Sequence, residues 1–328
     1  MRTFDARHDR FALSRPFRIS RGVKIAADVV TVTIGEGGLA GRGEGVPYPR
    51  YGESVESALA AIEGIRPAIE AGADRQALLA LLPPGAARNA VDCALWDLET
   101  KLSGKTVAEL IDADEPKPLA SALTIGIDTP MMMGVAARRV AGAPLLKVKV
   151  DAELPDSQLR AVRSAAPEPR LIVDPNESWD ERMLRAMMPL LIELRVDLLE
   201  QPVRADADEW LEDYAPAVPI AADEAVHTAA DLDLVARRYD VVNVKLDKAG
   251  GLTAALELAN AALGRGMGLM TGCMVSSSLS IAAALPVARL SEFVDLDGPL
   301  WLAEDRPGGV EDRDGTLHPP APGFWGTP

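Results

Sequence analysis

Eight short apolar runs recur along residues 119–297 at an almost constant interval. They are LASALTIGI, LLKVKV, RLIVD, VDLLE, VPIAAD, DVVNVKL, GMGLMTG and EFVDLD. With one residue taken near the middle of each (123, 147, 172, 198, 220, 243, 269, 294), the spacings are 24, 25, 26, 22, 23, 26 and 25. That interval holds one strand, one loop and one amphipathic helix, as in DSQLRAVRSAA, WDERMLRAMMPLLIEL, TAADLDLVARR and LTAALELANAALGRG. Eight such units predict a β/α barrel. A doubly wound open sheet is the alternative. It would ordinarily carry a glycine-rich phosphate turn after its first strand, and TIGIDTPM is not one.

The residues before the repeat follow a different grammar. RTFDARHDRFAL, ADVVTVTIGEGG and LAGRGEGV read as strands, with a hairpin turn at GEGG. Three helical segments follow: SVESALAAIEGIRPAIEAG, DRQALLALL and AARNAVDCALWDLETKLSG. Ser54 is the N-cap of the first, and because Ser57 stands three residues on in place of an acid or amide, a full capping box is not expected. Pro83 and Pro84 stop the second helix and Gly104 the third. Strands followed by helices predict a small α+β domain of about 110 residues.

A net charge of −15 argues against nucleic acid or an acidic membrane as the main partner, because phosphates would be repelled. No apolar run approaches the length needed to span a bilayer. The N-terminus, MRTFDARHDRFALSRPF, has charges where a signal peptide would be apolar, so a cytoplasmic location is expected. Cys93 and Cys273 are the only cysteines, are far apart in sequence, and read as free thiols in a reducing compartment. With only His8, His227 and His318 present, a histidine-based triad or zinc centre has little support.

Active sites of β/α barrels lie at the C-terminal ends of the strands. There the runs end KVKVD, IVDPN, LLEQP, AADE, NVKLDK and VDLDG. Asp174, Glu200 and Asp223 close successive strands at intervals of 26 and 23 residues. Any one of them could simply cap the next helix. Three at matched ends of neighbouring strands predict convergence on a cation, and an all-oxygen set suits Mg²⁺ or Mn²⁺ rather than zinc. Lys149, in strand two, and Lys245, at the end of strand six, would face each other across the mouth. Lysine is a useful base only when its pKa falls toward neutrality, an effect expected from Lys147 and the cation. Lys149 and Lys245 could then move protons on opposite faces of one carbon, while the cation and Lys147 neutralise the adjacent carboxylate. A Schiff-base lysine is the rival, but that chemistry would not require three carboxylates.

KVK, DPNESW, EQP, ADE and NVKLDKAGG, in this order, resemble the enolase superfamily, muconate-lactonizing subgroup, over nearly the whole chain. The resemblance implies a (β/α)7β TIM-like barrel over residues 116–305 and an N-terminal α+β capping domain over 1–115. A C-terminal segment, 306–328, would return to the cap, and the helix AARNAVDCALWDLETKLSGK would join cap to barrel. It assigns Asp174, Glu200 and Asp223 to Mg²⁺, with Mn²⁺ as the alternative, and Lys149 and Lys245 to acid/base catalysis. Asp247 and Lys248 would be supporting residues. Pro175 and Ser178 depart from the family's usual DANxGW without removing a ligand.

VDLDGPLW resembles the Asp-x-Asp motif of dipeptide epimerases, in which Asp295 and Asp297, alternating on one strand face, would hold a substrate's terminal ammonium group. GEGVPYPRYGES with RPFRISRGVK resembles the cap loops of L-Ala-D/L-Glu epimerases. Arg21 and Lys24 are the candidates there for a glutamate carboxylate, or else solvated cap-loop cations. Thr124 and Cys273 are lesser substrate contacts or packing residues. The function implied is Mg²⁺-dependent epimerisation of a dipeptide at the α-carbon of its C-terminal residue through an enediolate, in the handling of murein peptides. The protein is expected to be a homo-oligomer. The alternatives are a cycloisomerase, an o-succinylbenzoate synthase, an N-acylamino acid racemase, or a metal-binding barrel without catalysis.

Overall fold

The computed structural model describes residues 2–328. It opens with an antiparallel sheet of β1 (Thr3–Ile19), β2 (Gly22–Glu36) and β3 (Leu39–Gly45). β1 runs well beyond the expected RTFDARHDRFAL, so RPFRIS is strand and not loop. A register shift between Ala12 and Phe17 accommodates Pro16, which has no N–H to give the ladder. Contacts distant in sequence hold the extension: Phe17 packs on Trp301 with ring centroids 4.4 Å apart, the Ser14 hydroxyl donates to Trp301 O at 3.2 Å, and the Ile127 N–H donates to Arg18 O at 3.2 Å.

Val30, Val32 and Ile34 of β2 face a core shared with α1 (Val55–Gly64), α2 (Arg66–Glu70), α3 (Arg75–Leu81) and α4 (Ala86–Ser103). The sequence predicts one helix where α1 and α2 stand. The break falls at Ile65, just ahead of Pro67, which cannot donate to a continuing helix. The capping box that Ser57 was expected to preclude is present, because the Ser54 and Ser57 hydroxyls each accept the other's backbone N–H, at 3.1 and 2.9 Å. Gly41, Gly43 and Gly45 strip one face of β3, and a Cβ on any of them would lie 2.1–2.2 Å from an α4 carbonyl oxygen. The missing side chains let α4 lie directly on the sheet.

β4 (Leu119–Ala120) pairs with a C-terminal strand described below. Eight parallel strands then follow in order round a barrel: β5 (Leu123–Ile125), β6 (Leu145–Lys149), β7 (Arg170–Asp174), β8 (Leu198–Glu200), β9 (Ile220–Ala222), β10 (Val241–Val244), β11 (Gly268–Gly272) and β12 (Phe293–Asp295). Each of the eight mid-run positions read from the sequence lies inside one of them. The Ala122 N–H, donating to Val294 O at 2.7 Å, draws the two ends of the sheet together. Eight residues, Ala122, Leu145, Ile172, Leu198, Ala221, Val241, Met270 and Phe293, form one apolar plug. The plug fills the N-terminal half of the barrel and leaves the polar strand ends at the other mouth. Two crossovers are less helical than usual: only a 3-10 turn, Glu209–Asp213, follows β8, and TAADLDLVARR keeps just Ala229–Asp231 and Leu232–Val235.

β13 (Glu311–Arg313) and β14 (Thr316–His318) complete a small sheet with β4. The chain then crosses to the cap, where Trp325 Nε1 donates to Arg42 O (3.0 Å) and Cys93 O (3.2 Å). Arg306 reaches the cap too, pairing with Asp9 at 3.0 Å and with the buried Glu44 at 2.9 Å. α4 contacts the barrel through Arg88, which donates to Ala249 O and Gly250 O, and through Asp92, which accepts from Thr253.

Candidate active site

Alternation along β6 sends Val148 into the outer core and turns Lys147 and Lys149 inward, as the KVK pattern predicts. Lys147 is 1% exposed. Its ammonium lies 3.1 Å from Asp174, 2.7 Å from Glu200 and 2.7 Å from Asp295. Lys149 pairs with Asp174. Across the barrel, Lys245 follows β10 at the start of a short helix, Leu246–Ala249. It lies 2.7 Å from Asp223 and 3.9 Å from Glu200. Lys149 and Lys245 line one cleft from strands separated by β7, β8 and β9, so they stand on opposite walls of an eight-stranded barrel.

The carboxylates are bridged in sequence by ammonium groups, Lys147 between Asp174 and Glu200 and Lys245 between Glu200 and Asp223. Burial opposes the charge on Lys147, but Asp295, Glu200 and Asp174 outweigh it and hold the group well above the usual lysine range. Lys245 is likewise raised, because Asp223 overcomes its burial. At Lys245 the carboxylates therefore outweigh the Lys147 ammonium. Asp174 comes down to about 2 as Lys149 and Lys147 overcome its burial, and Lys245 and Lys248 hold the buried Asp223 well below the carboxylate range. Glu200 goes the other way, pushed up to about 7 by burial and by Asp174.

Among the described residues, no three Asp, Glu, His or Cys side chains converge closely enough to hold a metal as they stand. The residues nonetheless fit a hard divalent cation. Each bridging ammonium already marks a cation position between two carboxylates. Glu200 Oε2 is buried and out of line for a hydrogen bond with Lys147, so it has no hydrogen-bond partner. Burial and Asp174 push Glu200 up against the lowering effect of Lys147 and Lys245, and three oxygen donors suit a hard cation.

Asp295 and Asp297 both line the cleft, but only Asp295 is in β12. Asp297 lies past the strand end, where it opens a 3-10 turn and accepts the Thr124 N–H at 2.7 Å. Burial and Asp295 push it up to about 7. Asp295 has Lys147 as its counter-ion, whereas Asp297 forms no ion pair among the described residues. Thr124 and Cys273 also border the cleft, and burial raises the Cys273 thiol.

Arg21 and Lys24 stand at the tip of the β1–β2 hairpin and not on a loose loop. The Arg21 guanidinium is already committed, lying 2.6 Å from Glu224 and 3.2 Å from Glu177 and donating to Asn176 O at 3.1 Å. Lys24 has no such partner among the described residues. It rests 4.8 Å from the centre of the Tyr48 ring, and burial lowers its pKa. The sequence reading missed Phe17, Tyr48, Tyr51 and Trp301, which wall the cleft from the cap and from the turn after β12. The tyrosines lie in VPYPRYGES and carry no spacing signal. Lys248 is more than packing, because it donates to Asp223 Oδ1 (2.7 Å), Asp223 O and Asn243 O (3.1 Å).

Residues 1–112 match the family of mandelate racemase/muconate lactonizing enzyme N-terminal domains, and residues 132–324 match the enolase C-terminal domain-like family. The L-Ala-D/L-Glu epimerase of Escherichia coli is 46% identical over 97% of this chain and all of its own length. An N-acetyl-D-glutamate racemase of Pseudoalteromonas is 40% identical over 91% of this chain and 95% of its own. An enolase family member of Agrobacterium tumefaciens, with homology to dipeptide epimerases and with bound sodium and L-Ala-L-Glu, superposes with a TM-score of 0.97. It is 47% identical, covering 99% of this chain and 100% of its own. Dipeptide epimerases complexed with Mg and a dipeptide share the fold at TM-scores of 0.88 to 0.89. Two family matches spanning cap and barrel, around a mouth where lysines oppose each other over three carboxylates, place the chain in the enolase superfamily, among the mandelate racemase/muconate lactonizing enzymes.

Proposed function

We propose that this protein is a dipeptide epimerase that inverts the α-carbon of the C-terminal residue of L-Ala-D/L-Glu and close relatives. The observation that carries the reading is the pair Lys149 and Lys245, on opposite walls of one cleft with Asp174, Glu200 and Asp223 between them. Asp174, Glu200 and Asp223 would hold Mg²⁺, for which Mn²⁺ can substitute. Bound there, the cation would supply positive charge to the substrate's α-carboxylate. One lysine, as the free amine, takes the α-proton from its face and becomes ammonium. The opposite lysine, starting as ammonium, returns a proton to the other face and is left as the amine. Lys147 stays charged throughout and adds electrostatic stabilisation near the carboxylate.

Asp297, buried without a cation, suits the substrate's terminal ammonium, with Asp295 beside it. Lys24, the unpaired cap cation, suits the glutamate side-chain carboxylate, while Arg21 serves to hold the hairpin on the barrel. Residues 1–115 act as the cap, 116–305 as the catalytic barrel and 306–328 as a strap between them. Murein peptides in the cytoplasm are the proposed physiological source of substrate. No helix among the described residues is long and apolar enough to cross a membrane. A homo-oligomer is expected, and light scattering tests it.

Exchange in D₂O with Mg²⁺ tests the mechanism. Lys149→Met and Lys245→Met should each abolish epimerisation, and each should still exchange the α-proton of only one epimer, a different one in each variant. Epimerisation persisting in either variant would refute the two-base assignment. Chelation of the cation should abolish turnover reversibly. Similarity to an N-acetyl-D-glutamate racemase supports a second reading in which the substrate's amino group is acylated. Comparing L-Ala-L-Glu with N-acetyl-L-glutamate separates the two.

A further inference from the structure

Gln201 follows Glu200 at the tip of β8 and is fully buried, with a left-handed φ of +33°. A non-glycine residue held there is strained and persists only where its surroundings enforce it. Both its backbone and its side chain are fully engaged. The Gln201 N–H donates to Ala221 O at 2.9 Å, and Gln201 O accepts the Glu177 N–H at 2.9 Å. Oε1 accepts two N–H groups, from Asp223 at 2.8 Å and Ala225 at 3.1 Å. Nε2 donates to Val203 O at 2.9 Å and to the Tyr239 hydroxyl at 2.8 Å. A primary amide has two donor hydrogens and two acceptor lone pairs, and all four are used.

The partners belong to three strand ends. Glu177 continues from the β7 end that carries Asp174, Gln201 itself adjoins Glu200, and Asp223 with Ala225 forms the end of β9. Methionine would keep much of the volume and lose every side-chain bond, leaving two N–H groups beside Asp223 without acceptors.

We propose that Gln201 is the positioning residue that sets the spacing of Asp174, Glu200 and Asp223 for a single cation. Its backbone fixes the β7 side and its amide fixes the β9 side. This rests on the three-carboxylate reading given above.

Binding of Mn²⁺, followed through the electron paramagnetic resonance signal of the free ion, tests it apart from turnover. Gln201→Met should bind Mn²⁺ at least about tenfold more weakly than the unaltered protein, as supporting residues of metal ligands typically do. Its lost activity should be recovered by raising the Mn²⁺ concentration. Gln201→Glu, which keeps an acceptor for the Asp223 and Ala225 N–H groups, should retain most of the affinity. Trp96→Phe serves as a structural control, since it trims a buried side chain and removes its 3.0 Å bond to Thr253, away from the three strand ends. Unchanged Mn²⁺ binding by Gln201→Met would overturn the proposal, as would an equal loss in Trp96→Phe at matched thermal stability. If Gln201→Met does not fold, Gln201→Glu decides, and a loss as large as about tenfold in it would also overturn the proposal. Asp223→Asn binding Mn²⁺ normally would remove the three-carboxylate site itself. Loss in Asp223→Asn with none in Gln201→Met would remove the Gln201 role alone.

Discussion

Lys147 and Lys149 are two residues apart and have different surroundings. Lys147 is shared among three carboxylates, whereas Lys149 has Asp174 alone and borders the cleft. The same contrast of committed and uncommitted charge separates Asp295 from Asp297 and Arg21 from Lys24. Asp297→Asn should lower kcat/KM for L-Ala-L-Glu by about ten- to a hundredfold, the worth of a buried hydrogen bond to a charged group. Activity toward N-acetyl-L-glutamate, which has no ammonium, should change little. Steady-state kinetics on both substrates checks this, and equal losses would remove the ammonium role. Lys24→Met should raise KM for L-Ala-L-Glu by about tenfold and leave L-Ala-L-Leu nearly unaffected. An equal effect on both would mean that Lys24 does not read the side chain.

Among the elements, the contact of β3 with α4 and the strap through Arg306 set how the cap sits on the barrel. Gly43→Ala would place a methyl group 2.1 Å from Ala90 O, and backbone gives way less readily than a side chain. The expected loss is about 1–3 kcal/mol of unfolding free energy, measured by urea denaturation. Arg306 is the cation for Glu44, which is buried, raised in pKa by that burial, and also accepts from the Ser277 N–H and hydroxyl. Arg306→Met should therefore cost about 3–5 kcal/mol, most of it from the charge left unpaired. Adding Glu44→Gln should return part of that loss. No recovery in the double variant would show that the Arg306 packing, and not the buried charge, was decisive.

For the whole molecule, two acids at the joint between cap and barrel couple stability to pH. Burial raises Asp92 to about 6, and burial raises Asp247 to about 7 against its bonds from the Val46 N–H and Asn89. Both folded values exceed the ordinary carboxylate value. Between that value and about 6 or 7 the native state keeps protons that the unfolded chain has released, so stability falls as pH rises through the window. From pH 5.5 to 7.5 the two groups together should remove about 3 kcal/mol. Urea denaturation in saturating Mg²⁺ should show that slope in the unaltered protein and a smaller one in the Asp92→Asn, Asp247→Asn double variant. Parallel slopes would mean that neither acid carries a proton in the folded state.

The sequence by itself determined the eight-strand barrel, because each strand must bury its apolar run and each repeat supplies one more strand and crossover. It also determined where the charged residues stand: alternation and position at a strand end are local properties, so Lys149, Asp174, Glu200, Asp223 and Lys245 could be named from spacing. Only the tertiary structure decided which charges are already paired. Arg21 and Lys24 look alike in sequence, yet Glu224 and Glu177 occupy one and leave the other. The extension of β1 meets Trp301, and the four side-chain bonds of Gln201 require three strand ends to meet. These depend on groups far apart in sequence brought to within 4.4 Å and 2.8 Å of each other, and no local pattern records such distances.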